Sequence, residues 1–185
     1  TSCRFQHLPL HLIASLQGFA LIEQSADPLA RSTAGEQQEN DRGDGKADVS
    51  VFRPSTGTWY RQNSGNGTFF GIQFGASEDK PTVGDFDGDQ KSDIAVFRPS
   101  TGAWYQVYSS DGSIHGENFG FGTDILTPAD YDGDGKTDVG VFRPSDGYWY
   151  ARNSSDGAFT YRIFGLATDI PAPGDFDGDG MADIS

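Results

Sequence analysis

Over most of its length the chain alternates short apolar runs with clusters of Asp, Gly, Ser and Pro, and the runs are too short for helices. Asp93-Ile94-Ala95-Val96-Phe97-Arg98 predicts a strand ended by Pro99, which cannot donate to a ladder. Ser100-Thr101-Gly102 is turn chemistry, and Ala103 to Tyr108 predicts a second strand rich in aromatic residues. Ser110-Asp111-Gly112 predicts another turn, matched by Gly65-Asn66-Gly67 and Ser155-Asp156-Gly157. A third strand is expected up to Phe119, and a short fourth around Thr127 to Ala129 before the next acidic run. No helix is predicted after residue 40, and the expected fold class is all-β.

The pattern is periodic. Asp85-Phe86-Asp87-Gly88-Asp89-Gln90-Lys91-Ser92-Asp93 returns after 45 residues as Asp130-Tyr131-Asp132-Gly133-Asp134-Gly135-Lys136-Thr137-Asp138. After 45 more it returns as Asp175-Phe176-Asp177-Gly178-Asp179-Gly180-Met181-Ala182-Asp183. A degraded copy, Asn40 to Asp48, precedes them, with Arg42 at a position that is Asp in the others. Phe52, Phe97 and Phe142 keep the same register, each followed by Arg-Pro-Ser, as do Trp59, Trp104 and Trp149, each followed by Tyr. Four short antiparallel strands in roughly 40–45 residues is the size of one propeller blade. Residues 1–39 stand outside the pattern as a non-repeat segment, helical or poorly ordered. Residues 40–185 form the repeat region, with units starting near 40, 85, 130 and 175.

Charge adds a constraint. The chain of 185 residues carries 13 Lys+Arg against 27 Asp+Glu, a formal charge of −14, which argues against nucleic acid and anionic membrane as partners. No apolar run reaches the roughly 18 residues that a membrane-spanning helix needs, so membrane insertion is not expected. Leu8 to Ile22 comes nearest, interrupted by His11, Ser15 and Gln17; a short amphipathic helix or the remnant of a secretory signal would account for it. Cys3 is alone, which leaves no disulfide framework within the chain.

The acidic run carries the chemistry. In Asp-x-Asp-x-Asp-Gly-x-x-Asp, carboxylates at loop positions 1, 3 and 5 converge as the backbone curls. Position 7 offers a carbonyl, and the acid at position 9 opens the following strand. Hard oxygen donors without Cys or His select calcium over zinc or copper, and magnesium demands a tighter octahedron. Acids crowded in this way repel unless a cation sits among them. Three divalent ions would bring the formal charge from −14 to −8. The loops at Asp130 and Asp175 match every position. The loop at Asp85 has Gln90 where Gly is expected, so a positive φ there would be strained. The loop at Asn40, with Arg42 among the ligands, is expected to bind calcium weakly or not at all.

Gly-Asp-Phe-Asp-Gly-Asp at 174–179, and Lys-x-Asp-hydrophobic-x-Val-Phe-Arg-Pro-Ser in the earlier units, resemble the FG-GAP/VCBS repeats. These are the calcium-loop blades of integrin-α-like β-propellers, and the resemblance covers about residues 40–185. It implies calcium ligands at Asp85, Asp87, Asp89 and Asp93, at Asp130, Asp132, Asp134 and Asp138, and at Asp175, Asp177, Asp179 and Asp183. It further implies backbone carbonyl ligands at Lys91, Lys136 and Met181. Family rings commonly have seven blades, so an incomplete or open propeller is expected here. The implied setting is secreted or cell-surface.

Other features carry plainer readings. Arg42-Gly43-Asp44 spells an integrin-recognised tripeptide, yet its Gly and Asp are repeat residues. The Trp-Tyr pairs are expected to pack between blades, because adjacent strand residues point to opposite faces and at least one must be buried. Arg53, Arg98 and Arg143 are expected to pair with a loop acid or to stack on an aromatic ring. His115 has no counterpart in the neighbouring units, and no catalytic constellation is visible. The expectation is a non-catalytic, calcium-stabilised module for adhesion or scaffolding, its protein or glycan ligand unknown. A carbohydrate-binding module, alone or accessory to a polysaccharide-acting enzyme, is the alternative. Self-association through open blade edges is a further possibility.

Overall fold

The computed structural model describes residues 37–39 and 47–185. The expectations for the N-terminal segment, including Cys3 and the stretch Leu8 to Ile22, fall on residues outside these, apart from 37–39. Those for Asn40 to Lys46, and with them the Arg-Gly-Asp tripeptide, also lie outside the described residues.

Among the described residues twelve strands form three antiparallel sheets of four, each in simple chain order. The first contains β1 (Gln37–Glu39), β2 (Asp48–Arg53), β3 (Thr58–Gln62) and β4 (Phe69–Gln73). The second contains β5 (Lys80–Gly84), β6 (Asp93–Arg98), β7 (Ala103–Val107) and β8 (Ile114–Asn118). The third contains β9 (Ile125–Leu126), β10 (Val139–Arg143), β11 (Tyr148–Arg152) and β12 (Phe159–Ile163). No sheet closes on itself, and no helix occurs among the described residues. The architecture is all-β and open, a series of propeller-like repeats.

The sheets are out of phase with the repeat as first read. The short strand before each acidic run was expected to finish its own unit. Instead β5 pairs with β6, Gly84 opposite Asp93, and β9 pairs with β10, Leu126 opposite Val141. The strand that ends one sequence unit therefore begins the next sheet, and the acidic loops at 85 and 130 each join the first two strands of a sheet. In the third sheet this strand covers Ile125–Leu126, earlier than expected, and a single bridge from Ala129 to Asp138 continues it.

Packing explains the apolar pattern. In β6, Ile94 and Val96 pack with Phe52 and Trp59 of the first sheet. Their neighbours Ala95 and Phe97 pack with Val139 and Val141 of the third. A sheet covered on both faces has little use for polar alternation, and Asp93 to Phe97 are all buried. In β2 alternation returns: Ser50 and Phe52 are buried, while Val49 and Val51 are 48% and 40% exposed. Phe and Trp sit directly opposite in every sheet (Phe52–Trp59, Phe97–Trp104, Phe142–Trp149), their ring centroids 5.4, 5.5 and 5.6 Å apart. The tryptophans are buried in all three, as expected of core residues.

One glycine per sheet holds the second hairpin closed. Gly102 has φ +67°, and a Cβ there would lie 2.5 Å from the Gly120 carbonyl oxygen. The Phe119 N–H bonds the Gly102 carbonyl across this gap at 2.9 Å. Any side chain at this position would push the two segments apart.

The repeated arginine both pairs and stacks. Arg98 makes a two-pronged bond to Asp79 at 2.9 and 3.0 Å and lies 4.9 Å from the centre of the Tyr105 ring. Arg143 does the same with Asp124, at 3.0 and 2.9 Å, over Tyr150. Both acids are buried, and each stands just before the strand that opens its sheet. Nineteen residues before Arg53 stands Ala34, and Arg53 stacks on Tyr60 at 4.6 Å and bonds its hydroxyl. Arg143→Gln strands a buried carboxylate and should cost about 3 kcal/mol. Arg53→Gln loses, among the described residues, a stacked cation and its bond to the Tyr60 hydroxyl and should cost about 1 kcal/mol. Urea midpoints of the two variants check this, and equal losses would contradict the pairing argument.

Candidate metal centre

Each acidic loop is wound by main-chain donors. In the loop from 85 to 93, Asp85 Oδ1 accepts from the N–H groups of Gly88 (2.6 Å) and Asp89 (3.1 Å), and Oδ2 accepts from Gln90 N–H (2.8 Å). Asp93 is anchored from two sides: Phe86 N–H bonds Oδ2 at 2.8 Å, and Ser109 N–H, from the turn after β7, bonds Oδ1 at 2.6 Å. The loop at 130 repeats this, with Gly133 and Gly135 on Asp130 and Tyr131 and Ser154 on Asp138. In the loop at 175, Gly178 and Gly180 bond Asp175, and Phe176 bonds Asp183. In the first copy, Asp48 is buried and accepts from Ser64 N–H at 2.7 Å, so the anchoring of the ninth position persists there.

The result is a group of three carboxylates in each loop: Asp85, Asp87 and Asp93; Asp130, Asp132 and Asp138; Asp175, Asp177 and Asp183. Within each group, one oxygen from every residue lies within 4.8 Å of the others. Asp93 and Asp138 are buried, whereas the acids at positions 1 and 3 are open to solvent on one side. The fifth-position acids, Asp89, Asp134 and Asp179, stand outside these groups. Asp89 is held by Lys91 N–H at 2.9 Å, by the Lys91 ammonium at 3.2 Å and by the Ser109 hydroxyl at 3.1 Å. Asp134 accepts from Lys136 N–H and Ser154 Oγ, and Asp179 from Met181 N–H. The seventh residues Lys91, Lys136 and Met181 thus sit in their loops with the N–H committed to the fifth acid.

Burial pushes the Asp93 carboxyl up to about 6, and the charge of Asp87 adds to the shift against the two anchoring N–H bonds. Asp138 moves in the same direction, through burial and then Asp132. Desolvation would raise Asp89 as well, but the bonds from Lys91 and Ser109 outweigh it and hold that carboxyl below its usual range. The donor set is oxygen only, crowded, anionic and partly desolvated. This fits a hard divalent cation such as calcium.

Position 6 behaves as its sequence implies. Gly135 and Gly180 have φ of +84° and +90°, and Gln90 has +67°, the one non-glycine residue with positive φ among those described. Adjacent loops also touch. Thr137 N–H donates to the Asp85 carbonyl at 2.7 Å, and Ala182 N–H donates to the Asp130 carbonyl at 2.6 Å.

With this geometry in place, comparison with known proteins identifies the class. The profile of the FG-GAP-like repeat matches three times, over residues 42–96, 85–141 and 130–184, and the chain belongs to that family. Successive matches overlap across an acidic loop and the strand after it, the same stretch in which one sequence unit passes into the next sheet. Among curated proteins none matches the chain significantly.

Two outcomes follow. Asp93 holds its proton more tightly folded than unfolded, so the stability it contributes is full below about pH 4 and is lost as the pH rises through about 6. In chelator, wild type should therefore lose stability relative to Asp93→Asn across that window, as read by urea midpoints. A parallel pH course for the two would refute the shift. Gln90→Gly removes a left-handed side chain and should stabilise the protein by about 1 kcal/mol, read from its thermal midpoint.

Proposed function

We propose that this chain is a calcium-binding, non-catalytic repeat module of an extracellular or cell-surface protein, serving adhesion or scaffolding, with the ions stabilising its blades. The observation that carries this reading is the recurrence of one three-carboxylate group in the same setting in three loops. A catalytic centre is unique in its chain, whereas structural ligands repeat with the structure they hold. Three carboxylates gathered on main-chain N–H groups gain most from a cation when that cation also ties two strands together. The extracellular setting rests on family membership and agrees with the acidic surface. Among the described residues no helix is long and apolar enough to cross a membrane.

The geometry favours a protein partner over a sugar. All three tryptophans lie in the core, and Tyr60, Tyr105 and Tyr150 each carry a guanidinium over one face. His115, which has no counterpart in the other units, is exposed, stacked on Tyr108 at 3.9 Å and within 3.0 Å of Ser113 Oγ.

Extracellular calcium modules have dissociation constants near 10⁻⁴–10⁻³ M, so millimolar calcium adds roughly 0.4–1.4 kcal/mol per site. Thermal melts of the whole chain in calcium and in chelator should differ by several degrees. Asp132→Ala should melt like wild type in chelator and recover only part of the calcium-induced rise. Identical wild-type melts in the two conditions would remove the reading.

A further inference from the structure

Four serines that a sequence reading assigns to turns reach into the acidic loops. Ser110 Oγ donates to Asp87 Oδ2 at 2.6 Å, across 23 residues of chain, and Ser109 Oγ lies 3.1 Å from both oxygens of Asp89. In the next sheet Ser155 Oγ donates to Asp132 Oδ2 at 2.6 Å, and Ser154 Oγ donates to Asp134 Oδ2 at 2.9 Å. The two pairs occupy equivalent places, in the turns after β7 and β11, and the main-chain N–H of the first serine in each anchors the ninth-position acid.

The degraded copy varies in step. In the first sheet the two positions hold Ser64 and Gly65, so the serine that would hold the third-position acid is missing. That acid is itself missing, replaced by Arg42. A turn-forming role alone would not link these two changes, because glycine and serine serve equally in such turns.

We infer that Ser110 and Ser155 are positioning residues of the ion sites, fixing the third-position acid from across the sheet, whereas Ser109 and Ser154 hold the fifth acid outside the three-carboxylate group. The inference rests on the calcium reading above. An ionised carboxylate has about four lone-pair sites. Asp132 uses one for Asp134 N–H and one for Ser155, which leaves two directed elsewhere for a cation. The serine thus restricts the carboxylate's rotation without exhausting it. The cation then meets ligands already aligned, and less ordering entropy opposes binding.

Calcium titration calorimetry on the whole chain, with chelator melts in parallel, tests this. Ser155→Ala should weaken one site about tenfold, the usual effect of losing a partner that orients a metal ligand. Its melt in chelator should match wild type, and Ser155→Thr, which keeps a hydroxyl, should retain the affinity. Ser100→Ala, whose hydroxyl bonds Glu78 away from the loops, should bind as wild type. Unchanged affinity in Ser155→Ala overturns the inference, as does an equal loss of stability with and without calcium, which would mark the serine as structural only. A wild-type chain that takes up no calcium removes the ion reading itself, and this inference with it.

Discussion

Three like charges held within 4.8 Å of one another are the constraint around which each repeat is built. At an effective dielectric of about 20, two unit charges at that distance repel by on the order of 3 kcal/mol. The chain meets the repulsion locally. Main-chain N–H groups converge on the first acid, and the ninth acid is pinned between the loop and the turn after the third strand. Burial raises the proton affinity of that ninth acid, a measure of how poorly the site tolerates its own charge. Either a proton or a cation relieves it, and near neutral pH the cation is the better candidate.

That constraint reaches the sheets because the loop joins β5 to β6 and β9 to β10. A loop that springs open separates the first strand of a sheet from the second. The buried Arg–Asp pairs act at the opposite end of the same two strands, Arg98 with Asp79 and Arg143 with Asp124. The opening strand of the third sheet is short, only Ile125–Leu126, with two ladder pairs to hold it. The pairing of Arg143 with Asp124 at one end compensates for its length.

Much of this was legible in the residues. The 45-residue spacing exposed the repeats, the Asp alternation exposed the loops, and Gln90 announced its own strain. Other parts were hidden for identifiable reasons. Lys80-Pro81-Thr82 and Ile125-Leu126-Thr127 carry no pattern that assigns them to the sheet before or after; only hydrogen bonding across the loop decides it. The fifth-position acids look identical to their neighbours, yet serine and lysine draw them outside the three-acid groups. The arginine was expected to pair with a loop acid or stack on an aromatic ring, and it does both; which acid it takes was marked only by the 19-residue offsets from Asp79 to Arg98 and from Asp124 to Arg143. For the serines, the signal was the joint change of Gly65 and Arg42.

The loops also form a chain of their own. The N–H that reaches back to a preceding loop belongs to position 8, between the seventh residue and the ninth acid, and it bonds the carbonyl of the preceding loop's first acid. The side chain of Lys136 packs over Gly88, and that of Met181 packs over Gly133, in the same sense. The backbone that shapes one carboxylate group is thus hydrogen-bonded to the backbone that shapes the next. Each unit touches only its neighbours, so the stability of such an array is a sum of unit terms and nearest-neighbour terms. Here one of the nearest-neighbour terms runs directly through the candidate ion sites. A change that straightens one loop withdraws a donor from the loop before it, and a change that orders one loop supplies that donor. The repeats are therefore linked through their acidic loops as well as through the apolar faces of their sheets.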